Sequence, residues 1–263
     1  MVLNDADQLL RNGDLDGARK ALVEVVRSRP ADAQARMFLF QLLAAAGEWD
    51  KARTQLNTLA TLSPEAQMLS VAYGQAVDAE RTRAAVFAGT ERMTLLVHSD
   101  WATGLVDAIE HYALSRGAEG DAARDAAFEN APDTPGTLDG AAFDWIADAD
   151  SRFGPSFEAI IGGRYGLVPF DTVASIKSEG PKDLRDTVWY PVQLAFKSGQ
   201  SVAAMLPTRY PGSEASDDVN ERLGRATGWR DTAWGQAGSG QHLWALSTED
   251  ERDLLSVRQL VFA

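Results

Sequence analysis

Cysteine is absent from the 263-residue chain. Disulfide frameworks and zinc sites built on thiolates are therefore excluded, and the composition fits a reducing compartment such as the cytoplasm. Basic side chains are also scarce, because 25 Lys and Arg residues stand against 38 Asp and Glu residues and leave a net charge of −13. Since phosphate contacts require clustered Lys and Arg, we expect no nucleic-acid partner.

Long hydrophobic runs are missing as well. No segment approaches the ~18 consecutive apolar residues of a membrane-spanning helix, so we expect no membrane partner. Residues 1–5 contain neither a basic region nor the start of an apolar one, which argues against a signal peptide and favours a cytoplasmic protein. Hydrophobic residues make up 45% and charged residues 24% of the sequence. These values are ordinary for a soluble globular protein, and the length suits two domains.

The most informative pattern is a duplicated helical hairpin. Residues 13–18 (GDLDGA) correspond to residues 47–52 (GEWDKA), 34 positions later. The same offset pairs Leu22 with Leu56, Val25 with Leu59 and Pro30 with Pro64. A period of 34 residues is that of the tetratricopeptide repeat, a helix–turn–helix unit with a small residue at its helix crossing and a proline at its exit. Such a repeat displays a surface and has no chemistry of its own, which favours a binding protein over an enzyme.

Further helices are predicted after the two repeats. Asp32 is placed to cap the third helix, and Ser63 followed by Pro64 is placed to cap the fifth. A longer helix is predicted over residues 65–88, and a degenerate third helical pair between residues 100 and 131 would close the stack. We therefore predict a TPR-like α-helical repeat domain over residues 1–131.

The composition changes near residue 132. Short segments rich in aromatic and β-branched residues, separated by Gly, Pro and Asp, predict a compact and mostly antiparallel sheet or a small barrel. The predicted strands are 165–170, 172–177, 187–196, 201–206, 242–246 and 255–262. Segments 147–161 and 219–227 are read as short helices. The fold class is thus multidomain, with a helical repeat domain followed by a β-rich α+β domain over residues 132–263.

One acidic segment has the residue types of a site. Residues 143–152 (FDWIADADSR) contain Asp144, Asp148 and Asp150, which could bind a hard cation or form an acid/base pair. The alternation and central glycine of an EF-hand loop are missing. Two other interpretations stay open. Asp148 or Asp150 caps a helix that begins near Ser151 and pairs with Arg152, or the segment contacts a partner.

A second polar cluster lies at residues 207–214 (PTRYPGSE). Its serine has no histidine nearby and no Gly-x-Ser-x-Gly elbow, so a nucleophile is not indicated. We read the segment as an ordered turn in which Arg209 and Glu214 pair. The three histidines are too far apart in the sequence for a recognisable metal-ligand spacing, and each is expected to be structural.

Several longer motifs extend across both halves of the chain. They are DLDGA (14–18), FLFQLL (38–43), VFAG (86–89), PGT (135–137), WIADADSR (145–152), VPF (168–170), DLRD (183–186) and PTRYPGSE (207–214). In these motifs the chain resembles the ImpE/TagJ family of type VI secretion accessory proteins, nearly from end to end. The resemblance implies a cytoplasmic, non-enzymatic adaptor with no cofactor. It implies binding to the N-terminal helix of the TssB-like small sheath subunit and a link to the ClpV-type AAA+ ATPase that recycles the sheath.

The binding surface is predicted less sharply. In repeats of this class the first helix of each pair lines the concave side, where a partner helix could lie in a groove. The predicted groove residues are Asp7, Leu10, Arg11, Gln34, Met37, Gln41, Ala44 and Ala45. Alternatively the groove lies against the β-rich domain near Trp145 and Tyr210, or the Met37 face is buried against the third helical pair.

The candidate partner contacts are therefore Leu10, Met37, Gln41, Ala44, Ala45, Trp145, Asp148, Asp150, Arg152, Arg209, Tyr210 and Glu214. The competing functional hypothesis is a metal-assisted hydrolase that uses Asp144, Asp148 and Asp150 together with Glu214.

Overall fold

The computed structural model describes residues 2–62 and 64–263, except for the side chains of residues 2–4. Residues before 132 are called the helical half here, and residues 132–263 the β half. The helical half contains α1 (Val2–Arg11), α2 (Leu15–Ser28), α3 (Ala33–Ala45), α4 (Trp49–Leu59), α5 (Pro64–Phe87), α6 (Ala102–Ala113) and α7 (Gly117–Asn130). None of the described helices is long and apolar enough to cross a membrane.

Glycine turns and an aspartate cap set the ends of the first helices. Gly13 and Gly47 have φ values of +82° and +70°, in the left-handed region that glycine adopts without steric cost. Asp32 accepts a 3.0 Å hydrogen bond from the backbone N–H of the third residue of α3, so the predicted cap is confirmed. Pro64 begins α5, whereas the cap predicted at Ser63 lies outside the described residues.

The helices pack as the repeat predicts. α1 packs on α2 and α3 on α4, and the two alanines of the repeat motif, Ala18 and Ala52, are fully buried. α6 and α7 form the predicted third pair. α5 is 24 residues long and contacts α4, α6 and the strand at residues 164–169. It therefore connects the repeat stack with the β half.

The β half begins with short strands and continues with longer ones. Its strands are β1 (Gly136–Leu138), β2 (Ala141–Phe143), β3 (Ile146–Asp148), β4 (Ser156–Ile161), β5 (Arg164–Pro169), β6 (Val173–Lys177), β7 (Trp189–Phe196), β8 (Ser201–Pro207), β9 (Thr227–Thr232), β10 (Gly235–Gly240), β11 (Leu243–Leu246), β12 (Glu251–Asp253) and β13 (Gln259–Phe262). A short helix, α8 (Val219–Arg222), lies within the predicted helical segment 219–227.

The main sheet is antiparallel and open. Its order is β2-β1-β13-β6-β7-β8-β4-β5, and every strand pair in it is antiparallel. In the described part of the chain β2 and β5 are its edges, so the sheet is formed and the alternative, a closed barrel, is not. A three-stranded sheet, β12-β11-β3, and the hairpin β9–β10 complete the β half.

The helix predicted over residues 147–161 is wrong. This segment contains β3, a turn and β4. Phe157 to Ile160 are all buried, because the two faces of β4 pack into two different cores, with Ile160 in the core shared with the helices and Phe157 and Ala159 in the core of the β half. A short apolar run that is buried on both faces has no period of two, so its sequence cannot be told from a buried helix.

The helical half and the β half share a hydrophobic core. Trp189 at the start of β7 is fully buried, and its ring centroid lies 6.4 Å from that of Phe40, 5.9 Å from that of Trp49 and 5.8 Å from that of Tyr73. The same cluster includes Phe153 together with side chains from α1 to α7. A domain boundary at residues 131/132 stays a prediction, since this core extends across it.

Candidate functional site

A buried ion pair joins the helical half to the β half. Arg83 on α5 donates to Glu158 on β4 through Nε at 2.7 Å and through Nη2 at 2.6 Å. Nη2 also donates to the carbonyl oxygen of Arg209 at 2.6 Å. Burial would raise the pKa of Glu158, but the charge and hydrogen bonds of Arg83 lower it well below its usual value. The pair therefore stays ionised, and its two-pronged geometry fixes α5 against the sheet.

His242 continues this network between two carboxylates. Its Nδ1 lies 2.6 Å from Asp148 and its Nε2 lies 3.0 Å from Glu158. Burial alone would lower the pKa of His242, but Asp148 and the hydrogen bonds to both carboxylates raise it to about 9. Because both ring nitrogens face carboxylate oxygens, both carry protons at neutral pH. His242 is therefore a buried imidazolium that bridges two acids.

The acidic segment is held by internal partners. Tyr210 donates its hydroxyl to Asp148 at 2.8 Å. Arg152 donates from Nη2 to Asp150 at 2.5 Å, and the backbone N–H of Gly238 donates to the same carboxylate at 2.7 Å. The predicted ion pair between Arg152 and one of the aspartates is thus confirmed, with Asp150 as its partner. No helix begins at Ser151, where the chain forms a turn.

The geometry does not gather these carboxylates around one point. Asp148 faces His242 and Tyr210, Asp150 faces Arg152, and Asp144 is exposed. Among the described residues, no group of three or more His, Cys, Asp or Glu side chains could hold a metal ion. A cluster that reads as a cation site in the sequence is, in the fold, part of an internal ion-pair network.

Arg209 makes a different contact from the one predicted. Its Nη1 donates to the carbonyl oxygen of Ala45 at 2.7 Å and also to that of Arg222. In the part of the chain that the structure describes, no ion pair joins Arg209 to Glu214. The guanidinium instead satisfies the C-terminal end of α3, where helix carbonyls lack partners within the helix.

A cavity of about 430 Å³, called the central cavity here, opens between the two halves. It is lined by α5 and α6, by the turn at residues 211–214 and by the tip of the β9–β10 hairpin. The lining residues are Trp49, Glu80, Arg83, Ala84, Phe87, Ala88, Ile109, Tyr112, Ala113, Arg152, Pro211, Gly212, Glu214 and Trp234. Two predicted contact residues, Arg152 and Glu214, therefore meet at this cavity, and Asp148 and Tyr210 belong to the network that holds its walls.

Part of the predicted groove on the first helices is covered by the β half, whereas Arg11 and Gln34 are exposed. Ala44 and Ala45 are fully buried, and Arg185 donates to the sulfur of Met37 at 3.7 Å. Leu10 and Gln41 line a second cleft of about 460 Å³, whose other wall is formed by residues 181–187. Their role as partner contacts stays a prediction. In this conformation the β half occupies the place that a partner helix would take.

Trp145 lies apart from the other predicted contacts. It is 44% exposed, one of the most exposed large apolar side chains among the described residues, and it lines neither the central cavity nor the second cleft.

Sequence reasoning missed Glu80, Arg83 and Glu158 and treated His242 as isolated. A signal was present for the first two. Glu80 lies three positions after Val77 and Arg83 lies three positions before Val86, so each is next to an apolar side chain on the helix surface, and charged residues in such places usually have buried partners.

Comparisons with known proteins agree with this architecture. A tetratricopeptide repeat family model matches residues 9–82, and the family model for ImpE protein matches residues 140–261. A curated protein of Pseudomonas aeruginosa, the type VI secretion system accessory component TagJ, is 41% identical over 258 residues, which is 98% of this chain and 90% of that protein. The chain belongs to the ImpE/TagJ family. The resemblance seen in the sequence motifs is confirmed.

A solved structure shares the fold of this ImpE/TagJ family member. Protein VPA1032 from Vibrio parahaemolyticus superposes with a TM-score of 0.88 and covers 98% of this chain and 97% of its own. Its sequence identity is 21%, so the likeness concerns the fold alone. Helical repeats followed by an antiparallel sheet are thus an arrangement that this chain shares with a distant sequence.

Proposed function

We propose that this protein is a non-enzymatic adaptor of type VI secretion. In this proposal it binds the N-terminal helix of the small sheath subunit in the cytoplasm and links the sheath to the ClpV-type ATPase that recycles it. The observation that carries the proposal is the 41% identity to a type VI secretion accessory component across 98% of the chain. The fold supports it, because helical repeats display binding surfaces and take helical peptides in grooves.

The internal chemistry favours an adaptor over the metal-assisted hydrolase. Asp148 and Asp150 accept hydrogen bonds from Tyr210, His242, Arg152 and the backbone of Gly238. Carboxylates engaged in this way would have to break several charge-assisted bonds before they could bind a metal or activate water.

The proposed contacts fall into two groups. Trp145, Arg152 and Glu214 can be reached in the conformation described here, since Trp145 is exposed and the other two line the central cavity. Ala44 and Ala45 would become available only if the β half moved away from the concave face, and the same movement would uncover more of Leu10, Met37 and Gln41. We therefore propose that the partner helix first meets the accessible group.

A fluorescence-anisotropy titration tests the function. The probe is a labelled peptide that carries the N-terminal helix of the cognate small sheath subunit, and a scrambled peptide is the control. We expect saturable binding of the native peptide alone. Absence of binding at high micromolar protein would remove the sheath subunit from the proposal.

Two exposed tryptophans provide a matched test of the surface. Trp145 is 44% exposed and Trp229 is 40% exposed. If Trp145 anchors the partner, Trp145→Ala weakens binding by about tenfold or more, whereas Trp229→Ala has little effect. Equal effects of the two substitutions would show that Trp145 is not a specific anchor. Capture of the ATPase with and without the sheath subunit then tells whether the link to the ATPase is direct.

A further inference from the structure

The central cavity contains two arginines whose charges are already balanced. Arg83 is held by Glu158 through two hydrogen bonds. Arg152 is held by Asp150, with its Nη2 at 2.5 Å and its Nε at 3.0 Å from carboxylate oxygens. Each guanidinium therefore has a carboxylate of its own outside the cavity lining.

Among the described residues, no cation lies within hydrogen-bonding distance of the two glutamates in the same lining. Glu80 is only 6% exposed, and one of its oxygens accepts from the indole N–H of Trp189 at 3.0 Å. Its other oxygen is 3.6 Å from Arg83, which is too far for a hydrogen bond. Glu214 forms no ion pair within the described residues, although the charge of Arg209 attracts it. Burial raises the pKa of Glu80, and the opposing charges of Arg83 and Arg209 do not cancel this shift.

Aromatic rings form part of the remaining walls of the cavity. Trp49 and Ile109 line it, and Tyr112 and Trp234 lie side by side with their ring centroids 4.5 Å apart. A cation over an aromatic face is attracted by the electrons of the ring. The molecule already uses this interaction in the cavity wall, where the guanidinium carbon of Arg152 lies 5.4 Å from the centroid of Trp234.

The size of the cavity suits one long side chain. Its volume of about 430 Å³ lies at the lower end of the roughly 300–1,000 Å³ that is typical of small-molecule sites, and it is too small for a whole helix. Aromatic walls with two carboxylates that accept no hydrogen bond from a cation fit a side chain that has an apolar stem and a positive end.

We propose that the central cavity binds one arginine or lysine side chain presented by a protein partner. The aliphatic stem lies against Trp49 and Tyr112, and the charged end reaches Glu214 at the rim and Glu80 inside. An acidic protein with a net charge of −13 also attracts a basic segment over longer distances. The inference rests on the proposed function only for the identity of the partner.

The direct test uses small probes that differ in charge alone. N-acetylarginine amide and N-acetylcitrulline amide have nearly the same shape, but only the first is positive. With ionic strength held constant, we expect the arginine probe to change the fluorescence of the cavity tryptophans saturably, and the citrulline probe to bind at least tenfold more weakly. Equal binding of the two probes, or tighter binding of N-acetylglutamate amide, would overturn the proposal.

Variants locate the probe in the cavity. Glu214→Gln and Glu80→Gln should each weaken the arginine probe by about tenfold, and the amide oxygen introduced by Glu80→Gln can still accept from Trp189. Glu119→Gln on the exposed face of α7 is the control and should bind as the unmodified protein does. Thermal midpoints of all three variants establish that they are folded. Arginine binding that survives both cavity substitutions would contradict the assignment.

A peptide experiment separates this inference from the proposed function. In the labelled sheath-subunit helix, each basic residue is replaced in turn by a neutral isostere. We expect one replacement to weaken binding by about tenfold in the unmodified protein and to have little further effect in Glu214→Gln, because the two changes remove the same contact. Peptide binding that no replacement affects would refute the cavity inference and leave the adaptor function standing. Arginine-probe binding without peptide binding would support the cavity and refute the sheath partner.

Discussion

The ion pair between Arg83 and Glu158 makes a quantitative prediction about stability. In Arg83→Met the apolar stem is kept, while three hydrogen bonds are lost, two to Glu158 and one to the carbonyl oxygen of Arg209. Glu158 is only 2% exposed and would remain buried without its arginine. Removal of one partner of a buried pair typically costs about 3–5 kcal/mol. Since Glu158 keeps His242 and Tyr165 as partners, we expect a loss near the lower limit, about 3 kcal/mol.

The same helix supplies a matched control. Arg81 lies two residues away, is about half exposed, and pairs with Asp50 at 2.5 Å and with Asp78 at 2.9 Å. Because exposed ion pairs contribute about 1 kcal/mol or less, Arg81→Met should change stability by no more than that. The comparison holds the substitution and the helix constant and varies only burial.

Urea unfolding at pH 7 measures both changes. We expect a lower midpoint for Arg83→Met with an unchanged slope, which indicates a change in stability rather than in the compactness of either state. The double variant Arg83→Met/Glu158→Gln should be more stable than the sum of the two single effects predicts, by about 0.5–3 kcal/mol, because residue 158 no longer carries a buried charge without its arginine. If Arg83→Met and Arg81→Met lower stability equally, the reasoning from burial is refuted.

Three further outcomes are expected. His242 has a folded-state pKa of about 9 against roughly 6.5 in the unfolded chain. The stability that it contributes is therefore full below about pH 6.5 and declines as pH rises through 9. Urea midpoints should fall between about pH 6 and 9.5, and His242→Gln should flatten this dependence. Gly154 and Gly162 both have positive φ, but an added Cβ meets the Phe128 ring at 2.2 Å only at Gly154, so Gly154→Ala should lower the thermal midpoint clearly more than Gly162→Ala does. Ca²⁺, Mg²⁺ and Mn²⁺ at millimolar concentration should leave the thermal midpoint unchanged, because no group of the described residues is arranged to hold a metal ion. A ligand that binds the folded state raises the midpoint, so a rise with one of these ions would revive the hydrolase hypothesis.

The helical half could be predicted from the sequence because its determinants are local. The 34-residue period, the glycine turns and the Asp32 cap lie within a few residues of the structures that they specify. The strands β5 to β8 were predicted for the same reason, since their β-branched and aromatic residues stand between clear turn signals. Local signals fail for β4, which is a short apolar run buried on both faces.

The candidate site depends on contacts that no local pattern contains. Arg83 and Glu158 are 75 positions apart, and His242 and Glu158 are 84 positions apart. A carboxylate such as Asp148 therefore looks like a cation ligand in the sequence, and only the fold brings an imidazolium to it. The prediction of the groove is limited for the same reason. The repeat pattern indicates which side of the helices is concave, but it does not indicate that residues 181–187 lie against that side.

The bond between Arg209 and Ala45 has a consequence for the chain as it is being made. These two residues are separated by 164 positions, and the bond closes the β half over the concave face of α3. At a synthesis rate of roughly 5–20 residues per second, the ribosome needs on the order of 10 to 30 seconds to deliver the arginine after the alanine. During that interval the nascent repeats lack the cover that they later acquire, and their apolar concave face is open to chaperones or to a partner already waiting in the cell. A helix that binds this face during translation would compete with the β half of the same molecule before the fold is complete.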